Sequence, residues 1–230
     1  MRQDQKFSFR FLFLIILIPI FSISGCGKNS NSNTAISDTG FYFDTAVTIT
    51  LYGEENKQYI AQAFELCEYY ENLFSKSIPT SDVSKINENS KSGIPVAVAD
   101  DTFRLIQKSM EYAELSHGAF DITTGALSAL WDFTGEHPKV PTETMISEYL
   151  RTVDYRTVSL DVNNKTVMLM NQGTILDLGG IAKGFIADRL KDYLKSLGIQ
   201  NGIINLGGNI LLLHEKPDGE VPGIPPGPAG

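Results

Sequence analysis

The 230-residue sequence contains two cysteines, three histidines and one tryptophan. So few cysteines cannot form a disulfide framework, and no C-x-x-C pair is present. His117, His137 and His214 lie far apart and no H-E-x-x-H occurs, which leaves a zinc site little support. The sequence also lacks G-x-x-x-x-G-K-[ST], G-x-G-x-x-G and G-x-S-x-G. These absences argue against a P-loop, a Rossmann fingerprint and a hydrolase nucleophile elbow. Basic residues number 19 against 27 acidic ones, a formal charge of -8. No cationic excess is available to neutralise phosphates, so a nucleic-acid partner is not expected.

The N-terminus carries a different signal. Arg2, Lys6 and Arg10 precede "FLFLIILIPIF", residues 11–21. That apolar run has secretory-signal length and is too short for an ordinary membrane span. "SISGC" then brings small residues up to Cys26, with Ile23 where a bacterial lipobox usually has leucine. Residues 1–25 are read as a lipoprotein signal peptide, with lipid on Cys26 of the mature chain. A plain signal peptide followed by a chance cysteine is the alternative. The polar run "GKNSNSNT" begins a flexible tether assigned to residues 26–40. The expected location is extracytoplasmic, anchored by lipid to a bacterial membrane. Cys67 lies in the helical pattern "AQAFELCEYYENLF" and is expected to be a buried core thiol.

The rest of the pattern predicts α+β architecture in a single domain: mixed sheets with packed helices, from about residue 41. "FYFDTAVTITLYG" predicts a strand with Val47, Ile49 and Leu51 on one face. Helices are predicted over 57–75, after Ser81 or Asp82 as N-cap, over a capped stretch starting at Asp100 and ended by Gly118, and over 142–150. A hairpin is predicted around Asn163 and Asn164, and strands interrupted by Gly207 and Gly208. "LDLGGIAKGFIADRL", residues 176–190, predicts a short strand, then a helix to about Leu197 closed by Gly198.

That last stretch places Gly179, Gly180 and Gly184 around one helix start. Glycine inside a helix costs about 1 kcal/mol relative to alanine. Either something approaches the backbone closely, or the helix packs tightly on a sheet. "GAFDITTGAL", residues 118–127, could be a helix connection whose Asp121 caps the next helix, and "INLGGNI" a bulged strand pair.

Taken in order, F-D-T, S-D-V-S-K-I-N, G-A-F-D-I-T-T-G-A-L with Trp131 after it, D-L-G-G-I-A-K-G and I-N-L-G-G-N resemble the ApbE-type flavin transferases, the FAD:protein FMN transferases. The resemblance spans residues 41–219. It implies FAD as substrate and a divalent metal, usually magnesium. It implies transfer of FMN to a threonine or serine hydroxyl of an extracytoplasmic partner flavoprotein, with release of AMP. By position it implies cofactor contacts at Phe43, Ala119, Phe120, Asp121, Asp177 and Lys183, and a metal ligand in the Gly180 carbonyl. It assigns no catalytic residue. The expectation is that Asp121, Asp177 and Lys183 line one FAD site.

The chain departs from the pattern near its end. The family continues past N-L-G-G-N to a His-Ile-Ile-Asp-Pro-like segment and then to an aspartate and threonine that complete the metal site. Here residues 220–230 form a Pro/Gly-rich tail. The expectation is a C-terminally truncated, impaired transferase. A flavin-binding lipoprotein without transfer activity and an FAD pyrophosphatase remain as alternatives.

Overall fold

The computed structural model describes residues 34–54, 57–133, 135 and 138–214. The expected signal peptide, the expected lipidation site Cys26, the first part of the expected tether and residues 220–230 lie outside the described residues. No helix among the described residues is long and apolar enough to cross a membrane.

Strands β1 (Ala35–Tyr42) and β2 (Thr45–Tyr52) form a hairpin. Helices α1 (Gln58–Phe74) and α2 (Asp82–Glu88) follow, then β3 (Val96–Ala97) and α3 (Asp100–Leu115). Next come α4 (Gly125–Ser128), α5 (Glu143–Tyr149) and the hairpin β4 (Val158–Asp161) and β5 (Thr166–Leu169). Helix α6 (Ala182–Ser196) leads to the hairpin β6 (Gly202–Leu206) and β7 (Asn209–Leu212). The strands make two sheets, in the orders β1-β2-β6-β7 and β3-β5-β4. Every strand pairing in them is antiparallel, and an isolated parallel bridge joins Thr124 to Ile175. The architecture is α+β.

Side-chain alternation explains the first sheet. Val47, Ile49 and Leu51 of β2 and Ile204 and Leu206 of β6 point inward and are fully buried. Helices α1 and α6 pack together and over this sheet, burying Ile60, Cys67, Ile186 and Leu190 in the same core. Burial, with Glu71 nearby, pushes the Cys67 thiol up to about 12, so it stays protonated and serves as core packing.

Three expectations need correction. Residues 35–40, assigned to the tether, belong to β1. Ser37 and Asp38 read as linker residues, but the hydroxyls of Ser37 and Thr39 meet those of Thr50 and Thr48 at 2.9 Å across the pair. A polar edge strand of this kind has no apolar alternation to announce it. The short strand expected before α6 is reduced to the Thr124–Ile175 bridge. Its amides find partners in other segments instead of a ladder. The cap of α3 also differs: Ala99 occupies the N-cap position, and the Asp82 carboxylate of α2 accepts hydrogen bonds from the Ala99 N–H and the Thr102 hydroxyl, both at 2.8 Å.

Candidate functional site

The segment 175–180 has little regular structure, so its backbone groups need outside partners. Leu176 is fully buried, and both its amide groups are met by one side chain. Its N–H donates to Asn87 Oδ1 at 2.7 Å, and its carbonyl accepts from Asn87 Nδ2 at 3.1 Å. The Asp177 N–H donates to the Ile122 carbonyl at 2.8 Å, and the Gly125 N–H to the Ile175 carbonyl at 2.9 Å. A Cβ at Gly125 would lie 2.6 Å from that carbonyl oxygen, so the close approach requires glycine. The motifs around residues 87, 122–125 and 176–180 are thus joined through hydrogen bonds to the main chain of 175–177, from the Asn87 side chain and from the backbone of Ile122 and Gly125.

Asp177 follows at the mouth of a cleft of about 260 Å³, lined by Phe43, Asp44, Glu71, Phe74, residues 75–78, Asp177 to Gly179, Ala182 and Lys183. One carboxylate oxygen of Asp177 meets Lys76 Nζ at 2.5 Å; the other accepts the Gly179 N–H at 2.9 Å. Burial pushes the Asp177 pKa up. The hydrogen bonds from Lys76 and Gly179, the Lys76 charge and the Ser128 hydroxyl outweigh this and hold it below the usual carboxylate value.

Helix α6 begins directly behind the glycines. The Ile181 and Ala182 N–H groups donate to the Leu178 carbonyl at 3.0 and 2.8 Å. Among the described residues the Lys183 and Gly184 N–H groups have no backbone acceptor; they are the orphan donors of a helix start, at the positive end of the macrodipole. The Lys183 ammonium lines the cleft and makes no ion pair among the described residues.

The opposite wall is the β1–β2 turn. Phe43 and Asp44 both have positive φ, 56° and 57°. Two-residue hairpin turns of this hand favour Asn-Gly. Here a bulky aromatic and an aspartate occupy them, a strained choice of the kind found at functional sites. The Glu71 carboxylate of α1 steadies the turn by accepting the Phe43 N–H at 2.8 Å.

Of the residues singled out in sequence, Phe43, Asp177 and Lys183 come together in this cleft. Phe120 and Gly180 meet in an adjoining hollow with Tyr112, Leu115, Ser116 and Ile181. A Cβ at Gly180 would touch the Phe120 ring at 3.4 Å. Ala119 is exposed and lines neither. Asp121 does not join Asp177 and Lys183. It borders a separate depression with His117, Asp154 and Arg156. Its Oδ1 accepts from the Thr123 N–H and hydroxyl at 2.7 and 2.6 Å, and its Oδ2 from the Tyr155 N–H at 2.9 Å. Folding the 118–125 loop occupies both oxygens. The cleft residues missed in sequence are Lys76, Glu71 and Asp44. No periodicity marks Lys76, whose partner lies 101 positions away.

The described residues offer a dinucleotide a partial fit. The glycine turn, the helix start and Lys183 suit a pyrophosphate, and Phe43 and Phe74 offer apolar surface. The cleft is slightly smaller than the roughly 300–1,000 Å³ of ordinary ligand pockets, so a dinucleotide would extend past it. For magnesium the fit fails. No group of three His, Cys, Asp or Glu residues gathers among the described residues. A carbonyl such as that of Gly180 is not by itself a cage for an ion that demands octahedral oxygen coordination.

Residues 43–225 match the model of the ApbE family. The chain belongs to the ApbE family. It is 36% identical over 155 residues to the FAD:protein FMN transferase of Klebsiella pneumoniae, covering 67% of this chain and 49% of that protein. It is 32% identical over 162 residues to the Treponema pallidum enzyme of the same name, covering 68% and 44%. The chain therefore spans about half the length of these relatives. Among solved structures, the flavin transferase ApbE from Vibrio cholerae superposes with a TM-score of 0.74 at 26% identity, over 81% of this chain and 61% of that one. The ApbE protein of Thermotoga maritima gives 0.73 at 31% identity over the same shares.

Proposed function

We propose that this ApbE-family chain binds FAD in the cleft between the β1–β2 turn and the start of α6, and that it takes part in moving FMN from FAD to a protein hydroxyl. The observation that carries the reading is the convergence of Phe43, Asp177, Gly179 and Lys183 on one opening. An apolar ring, a carboxylate and a cationic helix start are the groups that a flavin, its hydroxylated chain and a pyrophosphate require. The relatives' name supports the reading.

In the proposed step a threonine or serine oxygen of the partner attacks the FMN phosphorus. The phosphoanhydride bond to AMP breaks, AMP leaves with the bridging oxygen, and the hydroxyl proton passes to solvent or to a base. Such transfer depends mainly on positioning and charge neutralisation. Lys183 and the orphan amides would hold phosphate charge, and Phe43 would set the flavin end. The acceptor is proposed to be an extracytoplasmic flavoprotein, with this chain anchored beside it through lipid on Cys26.

Incubation of the full chain with FAD, magnesium and a flavoprotein acceptor domain tests the proposal. Covalent fluorescence on the acceptor together with AMP supports transfer. AMP without a labelled acceptor means hydrolysis, and bound but unchanged FAD means binding alone. Absence of FAD binding refutes the reading.

A further inference from the structure

The cleft holds a second lysine that the family positions named above do not include. Lys76 follows α1 and sits on a backbone fixed from two directions. The Ser75 N–H donates to the Glu71 carbonyl at 3.0 Å, and the Ser75 carbonyl accepts the Ser81 and Ser84 hydroxyls at 2.5 and 3.3 Å. The Ser77 N–H donates to the Ser75 hydroxyl at 3.1 Å. The main chain is therefore pinned while the Lys76 side chain remains 43% exposed, with its ammonium 2.5 Å from Asp177. Four rotatable carbons let that ammonium move without moving the loop.

The charges of the cleft give that motion a purpose. Asp44, Glu71 and Asp177 face two ammonium groups, Lys76 and Lys183. A dianionic ligand would enter an opening already short of positive charge. Glu71 accepts the Phe43 N–H, which holds its negative charge beside the cleft. Asp177 also has the Gly179 N–H, which keeps the carboxylate partnered if Lys76 leaves.

We propose that Lys76 is a phosphate-binding residue of this cleft: it holds Asp177 in the free protein and turns to the phosphates of the entering dinucleotide, opposite Lys183. The inference rests on the FAD-binding reading above. Lys76 then supplies affinity for the charged part of the ligand and none for the flavin ring.

The test compares FAD with riboflavin, which lacks phosphate, by fluorescence titration of the full chain in detergent. Lys76→Gln is expected to weaken FAD binding by about tenfold or more, leave riboflavin affinity unchanged, and reduce the salt dependence of FAD binding. Lys76→Arg is expected to retain most of the affinity. Unchanged FAD affinity in Lys76→Gln overturns the proposal. Equal losses for FAD and riboflavin overturn it too, because they make Lys76 only a support for the cleft wall. Lys183→Ala separates the two levels. If it weakens FAD binding and Lys76→Gln does not, the Lys76 assignment alone fails. If neither changes FAD binding, the cleft is not the FAD site and both readings fail.

Discussion

Asn87→Ala tests how Asp177 is held in place. The Asn87 side chain meets both amide groups of Leu176, a residue with no exposed surface. Truncation removes two hydrogen bonds and leaves a buried N–H and a buried carbonyl without protein partners. Each such group costs about 1–3 kcal/mol. Asn87 itself is half-buried, so water can reach part of the vacated space. That places the expected loss at the low end, about 2–3 kcal/mol in all, a large share of the roughly 5–15 kcal/mol that holds a typical domain.

Urea unfolding measures it: the midpoint should fall while the slope stays the same. Asn87→Asp offers a second reading. Its carboxylate can still accept the Leu176 N–H, but it sets an oxygen against the Leu176 carbonyl, so it should also destabilise. A loss under about 0.5 kcal/mol for Asn87→Ala, within the range of ordinary surface substitutions, would refute the claim that this side chain supports the segment. Wild-type stability in Asn87→Asp would show that the Nδ2 bond contributes nothing.

Three further outcomes are expected. Asp44→Gly should stabilise the fold by about 1 kcal/mol, because it relieves a left-handed residue in the hairpin turn; a thermal midpoint at or below wild type would contradict this. Gly125→Ala should cost about 2 kcal/mol or more from overpacking, since its Cβ would lie 2.6 Å from the Ile175 oxygen and 2.8 Å from Cγ2; chemical denaturation checks it. Asp177 is held below the usual carboxylate value of 3.8. Its contribution to stability is therefore fully present above about that pH and is lost as pH falls through its lowered value. Asp177→Asn should show a shallower acid loss than wild type in unfolding measured from pH 5 downward.

The regular elements were legible because their patterns are local. Val47, Ile49 and Leu51 alternate, and Ile60, Cys67 and Phe74 recur at helical spacing, so burial could be read from the chain. The Asn163–Asn164 turn forms as its residues demand, with Asp161 accepting both backbone N–H groups at 2.9 and 3.1 Å. Strand β1 was not legible, because Ser37, Asp38, Thr39 and Gly40 have the composition of a linker; they pair through the backbone ladder, to which only the Ser37 and Thr39 hydroxyls add side-chain contacts. In the cleft, the glycine turn and Lys183 announced themselves by residue type. Lys76 could not, since its meaning arises only when α1 and the 177–179 turn are brought together. Asp121 shows the converse case: motif membership pointed to a ligand, while its oxygens bind Thr123 and Tyr155.

The Asp121 case bears on how substitutions here are to be understood. Asp177 stands on a segment with no sheet ladder of its own. Lys76, Asn87, Ile122 and Gly125 therefore hold that segment from three separate parts of the chain. A change at Asn87 or Gly125 displaces the Asp177 backbone without removing any group that faces the cleft. Such a change should weaken FAD and riboflavin alike and should lower stability at the same time. A change at Lys183 removes a charge from the cleft, and should weaken FAD selectively with stability nearly constant. The two classes separate on a plot of affinity loss against stability loss. If Gly125→Ala fell with Lys183→Ala on that plot, the main-chain links between the motifs would not be what positions the site.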